Sequence, residues 1–553
     1  MTPPILIVGA GPTGLALALA LRHNDILVRI IDKKPTHPIG QRGAGIMPRT
    51  MEAHNILGTL PDVLSLCTGV PLIRRYELPG GVKPIGTVSL LQIVEPTPAI
   101  PYPNPITLGQ DAQERVLREH LDKFGCQVEV GTELLSFEQT PDGVSVNLVH
   151  HRENGEDVPE SARFEYLLGA DGAHSKIRKT LGLEFLGETR TEDNMAVGDI
   201  IIEGGLDEEY WHTWGDATDK MFMLRSTQEG KNIFSLLCFG RNLDRAKVTS
   251  SREEYIKEFY AVTGRTDVKF GKLIWLGQYR PNIRMVSKFH QGRVFLAGDA
   301  AHCHSPTGGQ GMNSSFQDAC NLGWKIALVQ KGLAAPALLD TYDAERLPVI
   351  ADMLGKTTKL NDKTFTAGDH EGIRDSWKRG GALNQLGVNY RTSPIIVDDD
   401  VPRDENYAAY SNESETAARA GDRAPDAPGL SNVSVPGTTI NLFNLYKPTH
   451  HTVFVFSGTK SGYSELLDLC KQLPSATVRT YLILPPDATA SIHSSFDCIL
   501  QDNQGHAFSN FHVPLSSVKV FAIRPDGVVG AAVNGVEGLR KYFVGVFGSI
   551  TTV

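Results

Sequence analysis

The sequence predicts an α/β protein with a Rossmann-like nucleotide-binding domain, an inserted β-sheet domain and a C-terminal α/β domain. Three observations predict it. A strand, a glycine-rich turn, a helix and a second strand follow one another within residues 4–32. Strand-rich excursions at residues 73–105 and 191–285 interrupt this pattern. After residue 421 an alternation of strands and helices begins again. A chain of 553 residues is too long for a single core, so several domains are expected.

The first domain is predicted to be discontinuous, because the chain leaves it twice and returns. Its return points are a helical pattern after residue 108 and a buried strand near residue 294. Short strands are predicted at residues 76–78 and 87–93, and one strand at 164–169. The predicted boundaries are 1–72, 106–190 and 286–365 for the nucleotide-binding domain, 73–105 and 191–285 for the substrate domain, 366–420 for a helical and loop-rich connector, and 421–553 for the C-terminal domain.

Composition excludes several classes of partner. The net charge is −9, and no run of Lys and Arg indicates binding to nucleic acid. The first 21 residues lack a charged side chain, yet glycines and Pro12 interrupt them, so neither a signal peptide nor a membrane span is expected. Seven cysteines form no C-x-x-C pair. We therefore expect a reduced, cytoplasmic protein whose partners are small molecules, with the connector packed on the body or on a second copy in a homodimer.

The N-terminal turn carries a dinucleotide fingerprint. Gly9 permits a tight turn, Gly11 lets the backbone approach a pyrophosphate, and Gly14 lets the helix pack closely on the strand. Phosphates can then lie on the free N–H groups of the helix N-terminus. Asp32 ends the second strand as an acceptor for a ribose hydroxyl. Neighbouring residues assigned to the same site are Pro12, Thr13 and Lys33.

A second motif indicates which dinucleotide binds. Residues 289–299 form a turn and a short strand that ends in Gly298 and Asp299, and a glycine-rich turn opening a helix follows. Asp299 can accept hydrogen bonds from polyol hydroxyls, and the helix N-terminus offers N–H groups to a phosphate or an electron-rich ring edge. Such a pair of features suits a flavin. The assigned residues of the turn are Pro306, Gly308, Gly309, Gly311, Met312 and Asn313.

Between these motifs lies Asp171-Gly172-Ala173-His174-Ser175, with Arg178 close behind. This order resembles the FAD-dependent single-component aromatic hydroxylases, the group of the hydroxybenzoate and phenol hydroxylases. The resemblance is specific over residues 1–350. It implies non-covalent FAD, NADPH or NADH as co-substrate, and O₂-dependent hydroxylation of a phenolic substrate through a flavin C4a-hydroperoxide. Epoxidation or N-hydroxylation of a non-phenolic substrate is the alternative, followed by a non-oxygenating flavin-binding protein.

The same resemblance implies roles for single residues. Arg42 would lie along the FAD, although a solvated loop arginine is the alternative. Gln110 would contact the flavin side chain, and a helix N-terminal cap or a surface residue is the alternative. Backbone near Leu134 would meet the adenine. Asp171 would serve FAD and the nicotinamide nucleotide, and it could also cap the following helix. Arg178 would be a nearby cation, and Pro306 would position flavin and substrate. No residue is assigned as a catalytic base, and no metal is expected.

The substrate pocket is predicted from strands at residues 195–202, 221–225 and 232–239. Polar or bulky side chains on these strands are candidates for substrate contact, although aromatic and Met residues at such spacing also form ordinary cores. His302-Cys303-His304 is not assigned to a metal because no further ligand cluster lies nearby. The pocket candidates are His212, Trp214, Met221, Met223, Arg225 and His304.

The C-terminal order of strands and helices is similar to the thioredoxin-like domain of phenol-hydroxylase-type proteins. Strands are predicted at 439–445, 452–457, 477–484, 518–523 and 528–532, with helices at 463–472 and 536–542. Redox activity would need C-x-x-C after the second strand. Residues 457–462 read Ser-Gly-Thr-Lys-Ser-Gly, so this domain is expected to be redox-inert.

Overall fold

The computed structural model describes residues 4–190, 194–305, 308–366, 381–403, 407–410, 418–457, 463–488 and 495–548. Pro306 and residues 458–462, where the missing C-x-x-C would lie, are outside these ranges. Among the helices described, none combines the length and the apolar character that crossing a membrane requires.

The helices are numbered in chain order. They are α1 Pro12–His23, α2 Pro48–Ile56, α3 Leu60–Leu66, α4 Gln110–Asp122, α5 Lys176–Thr180, α6 Arg245–Val248, α7 Arg252–Thr263, α8 Gly311–Gln330, α9 Asp340–Thr366, α10 Ser464–Lys471, α11 His506–Asn510 and α12 Val536–Phe547. Short 3-10 helices span Gly298–Ala300, Pro336–Leu339, Gly381–Asn384 and Leu442–Asn444.

The strands follow the same numbering. They are β1 Ile5–Val8, β2 Val28–Asp32, β3 Gly45–Ile46, β4 Thr68–Gly69, β5 Leu72–Tyr76, β6 Pro84–Val88, β7 Ile106–Thr107, β8 Val128–Val130, β9 Thr132–Thr140, β10 Gly143–His151, β11 Asp157–Phe164, β12 Leu167–Gly169, β13 Leu186–Thr189, β14 Met195–Gly204, β15 Tyr210–Gly215, β16 Met221–Ser226, β17 Ile233–Phe239, β18 Lys269–Tyr279, β19 Asn282–Met285, β20 His290–Gln291, β21 Val294–Leu296, β22 His302–Cys303, β23 Val397–Asp398, β24 Leu430–Asn432, β25 Thr439–Ile440, β26 His451–Ser457, β27 Val478–Leu484, β28 Cys498–Gln501, β29 Val518–Ile523 and β30 Val529–Val533.

The first domain is built on a sheet with the order β20-β21-β12-β1-β2-β8. β1 runs parallel to β2 and β12, and β12 runs parallel to β21. The carboxyl ends of these four strands therefore meet at one edge. Side chains of β1 and most of α1 are fully buried, so the N-terminal run that lacks charge is core. This confirms the strand-turn-helix prediction for the N-terminus.

The predicted strand at 164–169 is confirmed at Leu167–Gly169 but is not one continuous strand, because the chain changes sheets there. β11 ends at Phe164 and pairs antiparallel with β10, whereas β12 starts at Leu167 and pairs parallel with β1. A change of partner and direction needs a break in the ladder, which falls at Glu165 and Tyr166. Glu165 forms an ion pair with Arg293 at this break.

The inserted domain is a seven-stranded sheet with the order β18-β14-β17-β16-β15-β5-β6. The two strands from the first excursion lie at one edge, at Leu72–Tyr76 and Pro84–Val88, so the predicted positions 76–78 and 87–93 are displaced. Helix α7 covers one face, where Trp214, Phe222 and Phe259 form a buried cluster. The opposite face carries a second buried cluster of Met195, Met221, Met223 and Phe239.

The C-terminal sheet has the order β23-β30-β29-β26-β27-β28-β24-β25. β26 and β27 are parallel, β29 and β30 form an antiparallel hairpin beside them, and α12 follows, as in a thioredoxin-like domain. Only Thr439–Ile440 of the predicted strand at 439–445 is extended, because Asn441 and Asn444 cap a 3-10 helix. β24 and β28 were not predicted. β23 comes from the predicted connector and pairs with β30.

Candidate functional site

A cleft of about 370 Å³ opens at the carboxyl edge of the six-stranded sheet. Twelve predicted site residues line it, although they come from eight separate stretches of chain. They are Gly9, Gly11, Pro12, Thr13, Asp32, Lys33, Arg42, Gln110, Leu134, Asp171, Asp299 and Met312.

The three fingerprint glycines differ in what surrounds them. A Cβ on Gly9, where φ is +103°, would lie 2.2 Å from the Ala170 carbonyl oxygen, and one on Gly14 would lie 2.0 Å from the Gly9 carbonyl oxygen. These two positions exclude side chains because backbone packs against them. A Cβ on Gly11 would meet no described atom within 4 Å. Gly11 therefore faces open space in the cleft.

Helix α1 begins beside this open space. Its N-cap is Gly11 and Pro12 follows, and no side chain in the described part of the chain caps it. The first-turn N–H groups of a helix lack partners within the helix, and they carry the positive end of its dipole. An anionic group in the cleft would satisfy both, which fits a pyrophosphate.

Asp32 stands at the end of β2 and organises the turn beside it. Its Oδ2 accepts the N–H of Ala10 at 3.0 Å, and its Oδ1 accepts the N–H of Lys34 at 2.9 Å. Each carboxylate oxygen accepts more than one hydrogen bond, so Asp32 can hold the turn and still accept from a ribose hydroxyl.

Gly298 and Asp299 have different roles in the second motif: Gly298 allows close packing, and Asp299 lines the cleft. A Cβ on Gly298, at φ +62°, would lie 2.5 Å from Thr13 Oγ1, so this glycine lets β21 and α1 meet. The Gly298 N–H donates to Asp318 Oδ2 at 3.0 Å. Asp299 is exposed and lines the cleft, where its carboxylate can accept hydrogen bonds.

Asp318 on α8 supports this motif from below, and sequence reasoning missed it. Its carboxylate pairs with His302 Nε2 and with Arg346 Nε, each at 2.7 Å, in a fully buried cluster. Burial acts to raise the pKa of Asp318, but Arg346 and His302 outweigh it and hold that pKa below its usual range. An acidic residue on the buried side of an amphipathic helix was the available signal.

Asp171 caps a helix while it lines the cleft, so both roles predicted for it remain open. Its Oδ2 accepts the N–H groups of Lys176 and Ile177 at 2.8 and 3.3 Å. Its Oδ1 is buried and has no hydrogen-bond partner among the described residues. Burial raises the pKa of Asp171. Arg178 differs from the expectation, because its guanidinium donates to the carbonyl oxygens of Ala300 and Ala173 below the cleft wall.

The glycine turn before α8 shapes the backbone beside the cleft. Gly308 and Gly309 have φ of +95° and +64°, which favours glycine. A Cβ on Gly311 would lie 2.1 Å from His304 Nε2. Asn313 is buried, accepts the N–H of Met47 at 2.8 Å and donates to the Gly45 and Gly309 carbonyl oxygens. Of this turn only Met312 lines the cleft, and Pro306 lies outside the described residues.

The predicted pocket residues divide between the two faces of the inserted seven-stranded sheet. His212 and Trp214 lie on the face that α7 covers. His212 Nδ1 is 2.7 Å from the Tyr76 hydroxyl, and Trp214 Nε1 donates to the Gly81 carbonyl oxygen at 2.8 Å. Both belong to a satisfied core, so their assignment to the pocket is wrong. Alternation along the strand decides this, since α7 occupies the side to which both point.

Met221, Met223 and Arg225 lie on the other face, which is turned toward the first domain. Trp211 stands directly across from Arg225 in the ladder and shares this face, although sequence reasoning missed it. Arg225 donates to Gln41 Oε1 at 2.6 Å, and the Tyr279 hydroxyl donates to the His304 carbonyl oxygen at 3.2 Å. These contacts bring the methionine-rich face next to the cleft.

His304 lies between that face and α8. Its Nδ1 is 2.6 Å from the Ser305 carbonyl oxygen, so Nδ1 carries the donated proton. Burial lowers the pKa of His304, which keeps the ring neutral at neutral pH. In the described ranges, no group of three His, Cys, Asp or Glu side chains is arranged to hold a metal ion.

Several further residues line the cleft without having been predicted. Each lies within five residues of a predicted residue along the chain, which was the available signal. They include Lys34, Thr132, Glu133, His174, Lys176 and Ser315. Together with the open Gly11 backbone, the uncapped α1 and the orphan Asp171 Oδ1, this donor and acceptor set fits an FAD.

Comparison with known proteins finds matches along most of the chain. A family model described as FAD binding domain matches residues 2–357. A flavin-dependent monooxygenase of Mycobacteroides abscessus is 35% identical over 495 residues, which cover 87% of this chain and 95% of that protein. Pentachlorophenol 4-monooxygenase of Sphingobium chlorophenolicum is 30% identical over 503 residues, which cover 88% of this chain and 86% of that protein.

Solved structures share the whole architecture. The flavin-dependent monooxygenase PieE, in complex with FAD and substrate, has a TM-score of 0.80 at 21% identity, with 99% of both chains covered. Aklavinone-11 hydroxylase, in a ternary complex with FAD and aklavinone, has a TM-score of 0.78 at 23% identity, again with 99% of both chains covered. At these identities the likeness establishes the fold, including the C-terminal domain.

Proposed function

This chain belongs to the FAD-dependent aromatic hydroxylase family and is a flavin monooxygenase, and from that premise we propose that it hydroxylates a phenolic substrate with NADPH or NADH as reductant. The observation that carries the proposal is a methionine-rich, buried sheet face beside the FAD cleft. Pentachlorophenol, named for one relative, is itself a phenol. An aromatic ring suits such a surface, because sulfur and aromatic groups pack favourably together.

We assign the parts of FAD to the cleft as follows. The pyrophosphate would lie over Gly11 and the N-terminus of α1, with Asp32 on a ribose and the backbone at Leu134 on the adenine. Asp299 would accept hydrogen bonds from the ribitol hydroxyls. Arg42, Gln110 and Met312 would hold the flavin side, where the inserted sheet approaches. Pro12, Thr13 and Lys33 would lie around the phosphates.

FAD, when bound, would supply the redox chemistry, because the flavin can be reduced by the nicotinamide nucleotide and can then activate oxygen. The protein positions the reacting groups and excludes water from them. Met223 and Phe239 are 0% and 1% exposed, so the sheet face keeps water from the reacting groups. Arg225 places a guanidinium on the same face, and a cation there favours the phenolate form of a ring hydroxyl.

A screen of phenols tests this function. Substrate-stimulated NAD(P)H oxidation is measured with H₂O₂ and hydroxylated product assayed alongside. We expect the true substrate to accelerate anaerobic flavin reduction about tenfold or more, about 1.4 kcal/mol off the barrier. Oxidised NAD(P)H that is recovered entirely as H₂O₂ with every phenol would reject the proposal. An epoxide or N-oxide as product would replace the phenolic substrate with the non-phenolic class.

A further inference from the structure

The substrate sheet holds the loop that carries Arg42. The Gln41 N–H donates to Asp199 Oδ2 at 2.6 Å, and Trp275 Nε1 donates to the same oxygen at 2.6 Å. Asp199 on β14 and Trp275 on β18 are neighbours in the ladder. Two donors, one from the sheet and one from the loop, therefore share a single carboxylate oxygen.

Gly40 shows how closely the loop is seated. Its φ is +94°, and a Cβ there would lie 1.8 Å from Trp275 Nε1 and 2.7 Å from Asp199 Oδ2. Its N–H donates to Asp111 Oδ2 at 2.7 Å. Because the backbone touches the indole edge directly, a shift of β18 must move this loop.

The Gln41 side chain adds a second connection to the sheet. Its Nε2 donates to Glu229 Oε1 at 2.5 Å, and its Oε1 accepts from Arg225 at 2.6 Å. Glu229 Oε1 also accepts the Gly109 N–H at 2.5 Å. The sheet thus holds two backbone segments of the first domain, and the next residue in each, Arg42 and Gln110, lines the cleft.

Asp199 is 2% exposed, and its Oδ1 has no hydrogen-bond partner among the described residues. Burial raises the pKa of Asp199. A buried carboxylate is costly, so the two donors on Oδ2 are needed to keep it in place. Arg42, in turn, lies over the Trp275 ring, with 5.6 Å from its guanidinium carbon to the ring centroid.

We propose that Asp199, Trp275 and Gln41 are positioning residues that couple the substrate-facing sheet to the flavin side of the FAD cleft. The inference rests on the proposed function, because it takes Arg42 and Gln110 as contacts of the flavin side. Arg225 links the network to substrate, since it bonds Gln41 and stands across from Trp211 on the methionine-rich face. A ligand on that face would change how Arg42 and Gln110 meet FAD.

Trp275→Phe tests the coupling in the holoenzyme, because it removes one N–H donor and keeps an aromatic ring under Arg42. We expect the FAD dissociation constant to rise about tenfold, equivalent to about 1.4 kcal/mol, with a shifted visible spectrum of bound FAD. Trp214→Phe is the matched control, since it removes an indole N–H from the same sheet on the face covered by α7. The control should leave FAD affinity and spectrum unchanged.

A pair of variants at Asp199 separates positioning from folding. Asp199→Asn keeps an acceptor oxygen for both donors and should retain FAD affinity within about threefold, whereas Asp199→Leu should lose it as Trp275→Phe does. Unchanged affinity, spectrum and H₂O₂ share in Trp275→Phe and Asp199→Leu would overturn the inference. If the variants alter FAD affinity and the FAD spectrum but the parent oxygenates no substrate, the positioning role of Asp199, Trp275 and Gln41 stands and the proposed function is rejected.

Discussion

The FAD cleft and the junction between α8, α9 and the C-terminal domain both collect charged side chains, yet they satisfy them in opposite ways. At the junction, Glu345 accepts from Lys325 at 2.7 Å and from two nitrogens of Arg524 at 2.8 Å each, and all three are fully buried. In the cleft, Gly11 faces open space and Asp299 is exposed. Saturated charges hold domains together, whereas unsaturated ones are available to a cofactor.

The pKa shifts at the junction follow the balance of charges. Burial acts to raise the pKa of Glu345, but Arg524 and Lys325 hold it well below its usual range. Burial lowers the pKa of Lys325 to about 8 despite the same ion pair. The partners differ because Glu345 faces two cations, whereas Lys325 shares its carboxylate with Arg524 and feels that like charge.

The largest effect is expected where the saturated cluster is broken. Arg524→Met leaves Asp526 without its buried cation and leaves Glu345 with Lys325 alone, so it should destabilise the protein by about 3–5 kcal/mol. Urea unfolding of the apoprotein measures this. Arg479→Met removes an exposed pair with Asp497 in the same domain and should cost less than about 1 kcal/mol. Equal losses of unfolding free energy in Arg524→Met and Arg479→Met would show that the buried cluster contributes no more than the exposed ion pair.

A substitution in the cleft should weaken FAD binding and leave the stability of the apoprotein unchanged. Asp299→Ala removes hydrogen bonds to the ribitol, so FAD binding should weaken by about 1–3 kcal/mol while the unfolding midpoint of the apoprotein stays unchanged. Titration of apoprotein with FAD gives the dissociation constant. An Asp142→Ala variant, at an exposed turn, serves as the control. Unchanged FAD affinity in Asp299→Ala would remove the second motif from the site.

Acid should weaken the junction through His451. Its pKa is lowered to about 3 by burial and by Arg524, and its ring stacks edge-on to Trp324. The unfolded chain binds this proton below pH 6.5 and the folded chain does not, so stability is complete above pH 6.5 and falls as pH drops. We expect His451 to account for about 1 kcal/mol of the loss between pH 7 and 5.5.

His451→Phe measures that contribution, because it keeps a ring among aromatic neighbours and removes the titration. Its unfolding free energy should fall less steeply between pH 7 and 5.5 than that of the parent. His151→Gln, at a half-exposed ion pair with Asp157, should leave the acid slope at that of the parent or steeper. Identical slopes for His451→Phe and the parent would exclude this histidine as the acid-sensitive group.

The smallest effect is expected from the cysteines of the C-terminal domain. All seven cysteines of the chain are free, and burial raises the pKa of Cys470 to about 12, which suppresses the reactive thiolate. Turnover of the Cys470→Ser, Cys498→Ser double variant should remain within about twofold of the parent. Loss of turnover in a folded double variant would give this domain a redox role.

Part of the site followed from sequence because its constraints are local. Gly9 needs its positive φ, and Gly14 needs its close approach to the Gly9 carbonyl oxygen, within one strand-turn-helix unit, and Asp32 follows at the end of the next strand. His212 and Trp214 were misplaced because alternation along β15 identifies two faces without saying which one α7 covers. The hydrophobic pattern likewise could not reveal the break at Glu165, where the chain leaves the sheet of β11 and enters the sheet of β12.

By itself the sequence determined the nucleotide-binding turn, the α/β alternation and the family, because each depends on residues that are close along the chain. Only the tertiary structure decided what supports the cleft and what joins the domains. Gln41 meets Asp199 across 158 residues, and Arg524 meets Glu345 across 179. Such pairs arise from the docking of one sheet or domain on another, and no local pattern encodes a partner at that separation.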